Sequence, residues 1–61
     1  MPLETSRAKI ARRLEAEGWI NQGGGSHDLY RHPQKAGIIT LPRHRTVTPG
    51  VARSIAKAAG W

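Results

Sequence analysis

The sequence predicts an α+β domain in which two helices pack on one face of a three-stranded antiparallel sheet. Apolar residues at helical spacing mark both ends of the chain, at Ile10 and Leu14 and again at Val51 and Ile55. The middle of the chain holds short extended runs joined by brief connections, and short connections imply antiparallel pairing. The expected order is therefore helix, three strands, helix, with residues 1–61 forming a single domain.

The first helix is expected over residues 6–17. Either Thr5 or Ser6 can cap its N-terminus, because a hydroxyl there accepts a hydrogen bond from the first helical turn. Gly18 stands where a helix commonly ends in a left-handed conformation.

The three strands follow in quick succession. We expect strand one from Trp19 and Ile20, a glycine-rich turn over 23–26, strand two over 27–32, a turn over 33–37, and strand three over 38–41, closed by Pro42.

The second helix has the clearest start signal in the chain. Thr48 is a good N-cap and Pro49 suits the first helical position, while Gly60 is the natural stop. Trp61 can then fold back onto the layer below. The apolar positions expected to face the sheet are Val51, Ala52, Ile55, Ala56 and Ala59.

Composition limits the classes of function. Ten Lys and Arg against four Asp and Glu give a net charge of +6, which predicts an anionic partner, either a nucleic acid or an acidic protein. A hydrophobic content of 38% is too high for a disordered tail, and the absence of cysteine excludes a disulfide framework or a thiolate metal site. Without cysteine a reducing cytoplasm fits best, and because no apolar run reaches the roughly 20 residues of a membrane span, a soluble protein is expected.

The turn Gly23-Gly24-Gly25-Ser26, followed by His27, is the most unusual feature of the sequence. Glycines let backbone N–H groups approach a phosphate, Ser26 adds a hydroxyl, and His27 can exchange a proton near neutral pH. The alternative is a flexible hairpin with a surface histidine, which local sequence alone does not exclude.

The three histidines at 27, 32 and 44 do not suggest a metal site, because their spacing matches no ligand pattern. His32 is expected to be a strand-end residue. His44 lies between Arg43 and Arg45, and two interpretations stay open: a phosphate contact or a solvated basic loop.

Positive charge is spread over both helices and the loop after strand three. Aromatic residues for base stacking are few: Trp19 and Trp61 are expected to cover the core, and Tyr30 could either stack or pack. The candidate RNA-binding residues are Gly24, Gly25, Ser26, Lys9, Arg12, Arg13, Arg43, His44 and Arg45, with Arg7, Arg53 and Lys57 adding to the charge.

Motifs along the whole chain carry a family resemblance. They are Gly18-Trp19, Gly25-Ser26-His27, Pro33, the basic loop Pro42-Arg43-His44-Arg45, Thr48-Pro49-Gly50 and Ala58-Ala59-Gly60-Trp61. In their order and spacing, the chain resembles the HicA family of small toxins from bacterial toxin-antitoxin pairs. The resemblance implies a fold like the double-stranded RNA-binding domain and ribonuclease activity on messenger RNA, silenced by a HicB antitoxin.

The resemblance also implies roles for individual residues. His27 corresponds to the family's catalytic histidine, and Gly25 and Ser26 correspond to the turn that presents it. Many relatives have a second histidine or a basic residue directly after the catalytic one, where this chain has Asp28. Asp28 could orient the imidazole, although alternation along a strand points adjacent side chains to opposite faces.

The chemistry expected of these residues needs no metal or cofactor. RNA carries its own nucleophile in the 2′-OH, so His27 can serve as general base or acid while the glycine turn and nearby cations hold the phosphate. An acidic partner that covers His27 would inhibit by occlusion. Two rival functions are a non-catalytic RNA-binding module of the double-stranded RNA-binding type and a small structural protein of a ribonucleoprotein particle.

Overall fold

The structure is a computed structural model that describes residues 3–61. The elements are α1 (Arg7–Ala16), β1 (Ile20–Asn21), β2 (His27–His32), β3 (Lys35–Pro42) and α2 (Pro49–Ala59). The three strands form one antiparallel sheet in the order β1-β2-β3. The predicted fold class and element order are therefore confirmed.

Both helices begin and end at the predicted residues or within one of them. The side chain of Ser6, rather than Thr5, accepts a hydrogen bond from the first turn of α1, and Thr48 does the same for α2. Gly18 and Gly60 follow the two helices with φ of 96° and 83°, a left-handed conformation that glycine adopts without steric cost.

One face of the sheet carries the core. Side chains alternate along β2, so Asp28 and Tyr30 face the helices, and their neighbours Ile39 and Leu41 on β3 do the same. Trp19 and Tyr30 are 2% and 1% exposed, so both pack in the core and neither is free to stack on a base. The other buried apolar residues are Ile10, Leu14, Val47, Ala52, Ile55 and Ala59.

The opposite face of the sheet is open. It carries His27 and Arg31 of β2, together with Ile38 of β3 and Ile20 of β1, and all four are exposed. Ile20 and Ile38 are 54% and 45% exposed, so this face presents two large aliphatic side chains to solvent. No helix within residues 3–61 is both long and apolar enough to cross a membrane.

The turn expected over 33–37 is wrong in its length. β3 begins at Lys35, so only two residues connect it to β2. Between the pairs Tyr30↔Ile39 and His32↔Lys35, one residue of β2 faces three of β3, which makes an irregularity in the ladder. Gly37 adopts a φ of 89° there, so the glycine that indicated a turn belongs instead to a bulged strand.

The C-terminal tryptophan folds back, as predicted, and it packs on α1. The guanidinium of Arg13 lies 4.2 Å from the centroid of the Trp61 ring, and Trp61 Nε1 donates a 2.8 Å hydrogen bond to Glu17 Oε1. This hydrogen bond lowers the pKa of Glu17 against partial desolvation, and the hydrogen bond and charge of Arg13 lower it further.

Candidate functional site

His27 is the first residue of β2 and is exposed on the open face of the sheet. Its Nδ1 lies 2.9 Å from Ser26 Oγ, so the preceding serine orients the ring. When Nδ1–H donates to Ser26, Nε2 holds the free lone pair and can accept a proton from a ligand. The geometry therefore places an exposed imidazole, hydrogen-bonded to Ser26, at one end of an open surface.

The glycine hairpin before His27 is closely packed at one point and open at another. Gly23 has a φ of 74°, and its N–H donates a 2.7 Å hydrogen bond to Asn21 Oδ1. A Cβ at Gly24 would lie 2.5 Å from the carbonyl oxygen of His27, so only glycine fits there. A Cβ at Gly25 would meet nothing within 4 Å. Gly24 is thus required by the fold, Gly23 has a left-handed φ that glycine favours, and Gly25 leaves open space beside its backbone.

The basic loop after β3 begins directly beside His27. His27 pairs with Pro42 across the β2–β3 ladder, and Arg43 follows Pro42. The Arg43 side chain donates to Gly24 O at 3.3 Å and to Asp28 Oδ1 at 3.1 Å. The structure therefore brings together four sequence-predicted residues, Gly24, Ser26, His27 and Arg43; His44 and Arg45 are exposed in the same loop.

Arg7 belongs to the same site, and sequence reasoning counted it only as part of the general charge. Its Nε donates to Pro42 O at 3.1 Å, and its guanidinium forms an ion pair with Asp28. Its backbone N–H donates to Arg45 O at 3.0 Å, which ties the basic loop to the start of α1. No sequence signal could have identified it, because its side-chain partners lie 21 and 35 positions further along the chain.

The remaining candidates lie elsewhere on α1. Arg13 forms an ion pair with Glu17 at 3.1 Å, and Glu17 O is hydrogen-bonded to His32 at 3.0 Å. His32 is at the other end of β2 from His27, roughly 17 Å away for a strand of this length. Arg13 therefore does not join the cluster at His27. Lys9 and Arg12 are exposed on α1.

Asp28 faces away from the ring of His27. It lies on the helix side of the sheet, where its carboxylate accepts hydrogen bonds from Arg7 and Arg43. Burial raises the pKa of Asp28, but the hydrogen bond from Arg43 and the charges of both arginines outweigh burial and lower it. Asp28 is therefore ionised at neutral pH and holds two arginines instead of orienting the imidazole.

Comparison with known proteins gives a family match over most of the chain. The profile of a family described as HicA toxin of bacterial toxin-antitoxin matches residues 7–61, which is nearly the whole chain. A search among curated proteins found no match. The match runs from Arg7 through the hairpin of His27 to Trp61, so it includes every element of the fold and the entire cluster just described. The chain therefore belongs to the HicA toxin family of bacterial toxin-antitoxin systems.

Proposed function

We propose that this protein is an endoribonuclease that cleaves messenger RNA, with His27 as the proton-transfer group. The observation that carries the proposal is the position of His27. It is exposed, and its ring is oriented by Ser26 at 2.9 Å. Across the β2–β3 ladder it pairs with Pro42, and the basic loop follows Pro42 directly. An exposed, oriented imidazole close to a basic loop is the arrangement that proton transfer at a bound phosphodiester requires.

The reaction follows from the chemistry of RNA. Nε2 of His27 takes the proton of a 2′-OH, the 2′ oxygen attacks the adjacent phosphorus, and the bond from phosphorus to the 5′ oxygen breaks. The leaving 5′ oxygen then takes a proton, either from a second group or from water. The products are one RNA with a 2′,3′-cyclic phosphate and one with a free 5′-OH.

The phosphate needs donors and positive charge while negative charge builds on its oxygens. The backbone N–H groups of the hairpin and the hydroxyl of Ser26 lie next to His27 in the chain. Arg43, with a half-exposed side chain, adds positive charge from the loop that follows the neighbouring strand. General acid-base help contributes on the order of 10²- to 10⁴-fold, so a site with one such group is expected to be a slow enzyme.

The test is cleavage of a defined RNA in the presence of EDTA. Wild type should release products with 2′,3′-cyclic phosphate ends, whereas His27→Ala should bind the RNA without cleaving it. His32→Gln, at the other end of the same strand, is the matched control and should cleave like wild type. Equal cleavage by wild type and His27→Ala would refute the proposed role of His27. Binding without cleavage by wild type would favour the RNA-binding module instead.

An inhibitory partner is the second part of the proposal. With a net charge of +6 the toxin is suited to an acidic antitoxin of the HicB type, which would cover His27. The open face of the sheet offers that partner a surface, because His27 shares it with the exposed Ile20 and Ile38 and with Arg31. Covering this face would bury aliphatic area and block the imidazole in one step.

This interface can be tested with one added charge. Ile38→Asp should weaken binding of a HicB-type antitoxin at least tenfold, because a carboxylate would be buried against an acidic and apolar partner. Ser54→Asp, on the exposed side of α2, adds the same charge on the other layer and should bind like wild type. Calorimetry on the purified pairs gives both affinities. Equal weakening in the two variants would mean that net charge, and not the open face, governs binding.

A further inference from the structure

Asp28 is the one buried charged side chain among residues 3–61. A carboxylate in this position is costly unless it is paired, and both of its oxygens are: Oδ2 with Arg7 and Oδ1 with Arg43. A leucine or valine would fill the same place in the core without that cost. A buried carboxylate with two arginines, directly after the residue that carries the proposed chemistry, requires an explanation.

The contacts of Arg43 indicate what this pair does. Its guanidinium reaches from Asp28 on the helix side of the sheet to the carbonyl oxygen of Gly24, at 3.3 Å, in the hairpin. Gly24 is packed under His27, since a Cβ there would lie 2.5 Å from the His27 carbonyl oxygen. Arg43 therefore closes the hairpin against the strand that follows it. A guanidinium can do this because its donors are held in a rigid fork.

Arg7 connects Asp28 to the strand that pairs with β2. Arg7 bonds to Asp28 and to the carbonyl oxygen of Pro42, the residue that faces His27 across the ladder. The two arginines, through one carboxylate, thus tie the hairpin before His27 to the strand opposite it.

We propose that Asp28 is a positioning residue that holds the hairpin of His27 in place through Arg43. The expected effect on cleavage rests on the proposed function. The expected effect on the order of the hairpin does not, because that order can be measured without any RNA. Arg43 then acts mainly by holding the hairpin in position, and its positive charge contributes less to catalysis.

The experiment combines kinetics with NMR on the full chain. Asp28→Asn keeps the shape but removes the charge, so one arginine loses its acceptor. Glu17→Gln is the matched control, because it makes the same change in the ion pair of Arg13, at the other end of the sheet. Arg43→Lys keeps the positive charge and loses the fork. For each folded variant, kcat and KM are measured with a defined RNA, and amide chemical shifts and exchange rates are measured for residues 23–27.

The expected result is a fall in kcat on the order of tenfold to 100-fold in both Asp28→Asn and Arg43→Lys, with KM within about twofold of wild type, because misplaced groups chiefly lower the rate of the chemical step. The hairpin amides should shift and exchange faster in both variants. Glu17→Gln should match wild type in every measurement. If Asp28→Asn fails to fold, Arg43→Lys decides, since the Arg43 side chain is 49% exposed and its replacement leaves the core intact.

Two results would overturn the inference. A folded Asp28→Asn protein with wild-type hairpin shifts would show that the carboxylate does not hold the hairpin. A wild-type kcat in Arg43→Lys would show that the charge of Arg43 is what matters. If wild type shows no cleavage that depends on His27, the proposed function fails. The NMR comparison of Asp28→Asn with Glu17→Gln still shows whether Asp28 holds the hairpin in place.

Discussion

A single added methyl group should have opposite effects at two neighbouring glycines. At Gly24 the new Cβ would lie 2.5 Å from the carbonyl oxygen of His27 and 3.4 Å from a side-chain carbon of Leu29, on a residue with a φ of 157°. At Gly25 the same atom would enter open space, and Gly25 does not have a positive φ. Gly24→Ala therefore changes the fold of the hairpin, whereas Gly25→Ala leaves it intact.

The expected stabilities follow from these distances. A side chain held in a sparsely populated backbone region costs about 1–3 kcal/mol, and the backbone contact at Gly24 adds to this. In a domain of this size each 1 kcal/mol lowers Tm by roughly 4–8 °C, so the backbone strain alone should lower the Tm of Gly24→Ala by about 4–24 °C. Gly25→Ala should be as stable as wild type or gain about 0.4–1 kcal/mol, because alanine restricts the unfolded chain.

Measuring cleavage shows whether Gly25→Ala loses activity while its stability is unchanged. If a phosphate approaches the backbone of Gly25, the methyl group blocks the donor, and loss of one such donor lowers the rate on the order of 10²-fold. We therefore expect Gly25→Ala to be stable and nearly inactive. The assays are thermal unfolding by circular dichroism and single-turnover cleavage at 25 °C. A wild-type Tm in Gly24→Ala would refute the steric reasoning, and wild-type cleavage by Gly25→Ala would refute the phosphate contact.

Four further outcomes are expected. The pKa of Asp28 is lower in the folded state than the unfolded value of about 3.9, so its ion pairs stabilise the fold above about pH 4 and are lost as pH falls through the folded value; in Asp28→Asn, acid unfolding monitored by circular dichroism should lack this component. Leu14→Ala, at a fully buried position, should cost about 2–5 kcal/mol in urea unfolding, and a loss under 1 kcal/mol would contradict the packing. Thr48→Ala should cost about 1 kcal/mol in the same assay, whereas Thr40→Ala on the open face should cost less. Cleavage should fall as the solution is acidified, because a protonated imidazole cannot accept the 2′-OH proton, and a flat pH profile would exclude His27 as the base.

Local patterns were sufficient for most of the fold. Thr48-Pro49 and Gly60 bounded α2 correctly, because capping depends on residues one turn apart and is already visible in the sequence. The turn residues on either side of residues 27–32 placed β2 at its observed bounds. Local reasoning failed at Gly37, where a positive φ serves a bulge in a strand and not a turn, since glycine permits both and only pairing with β2 distinguishes them.

The candidate site was predictable in part. The hairpin and His27 stood out because they are contiguous in sequence. Their neighbours did not, because Arg7 and Arg43 reach Asp28 across 21 and 15 positions of chain. Sequence reasoning could not separate Arg13 from Arg43 as candidates, since both are basic residues on an exposed surface, and only the fold places Arg13 at the far end of the sheet.

Residues close together in the chain specify the elements, their order and a histidine presented by a glycine turn, and composition alone sets the positive charge. Long-range packing specifies which cations pair with Asp28, the residue after that histidine. Strand pairing brings Pro42 opposite His27, and helix packing brings Arg7 onto the same carboxylate as Arg43. Contacts between distant residues depend on register and packing, which no local pattern specifies.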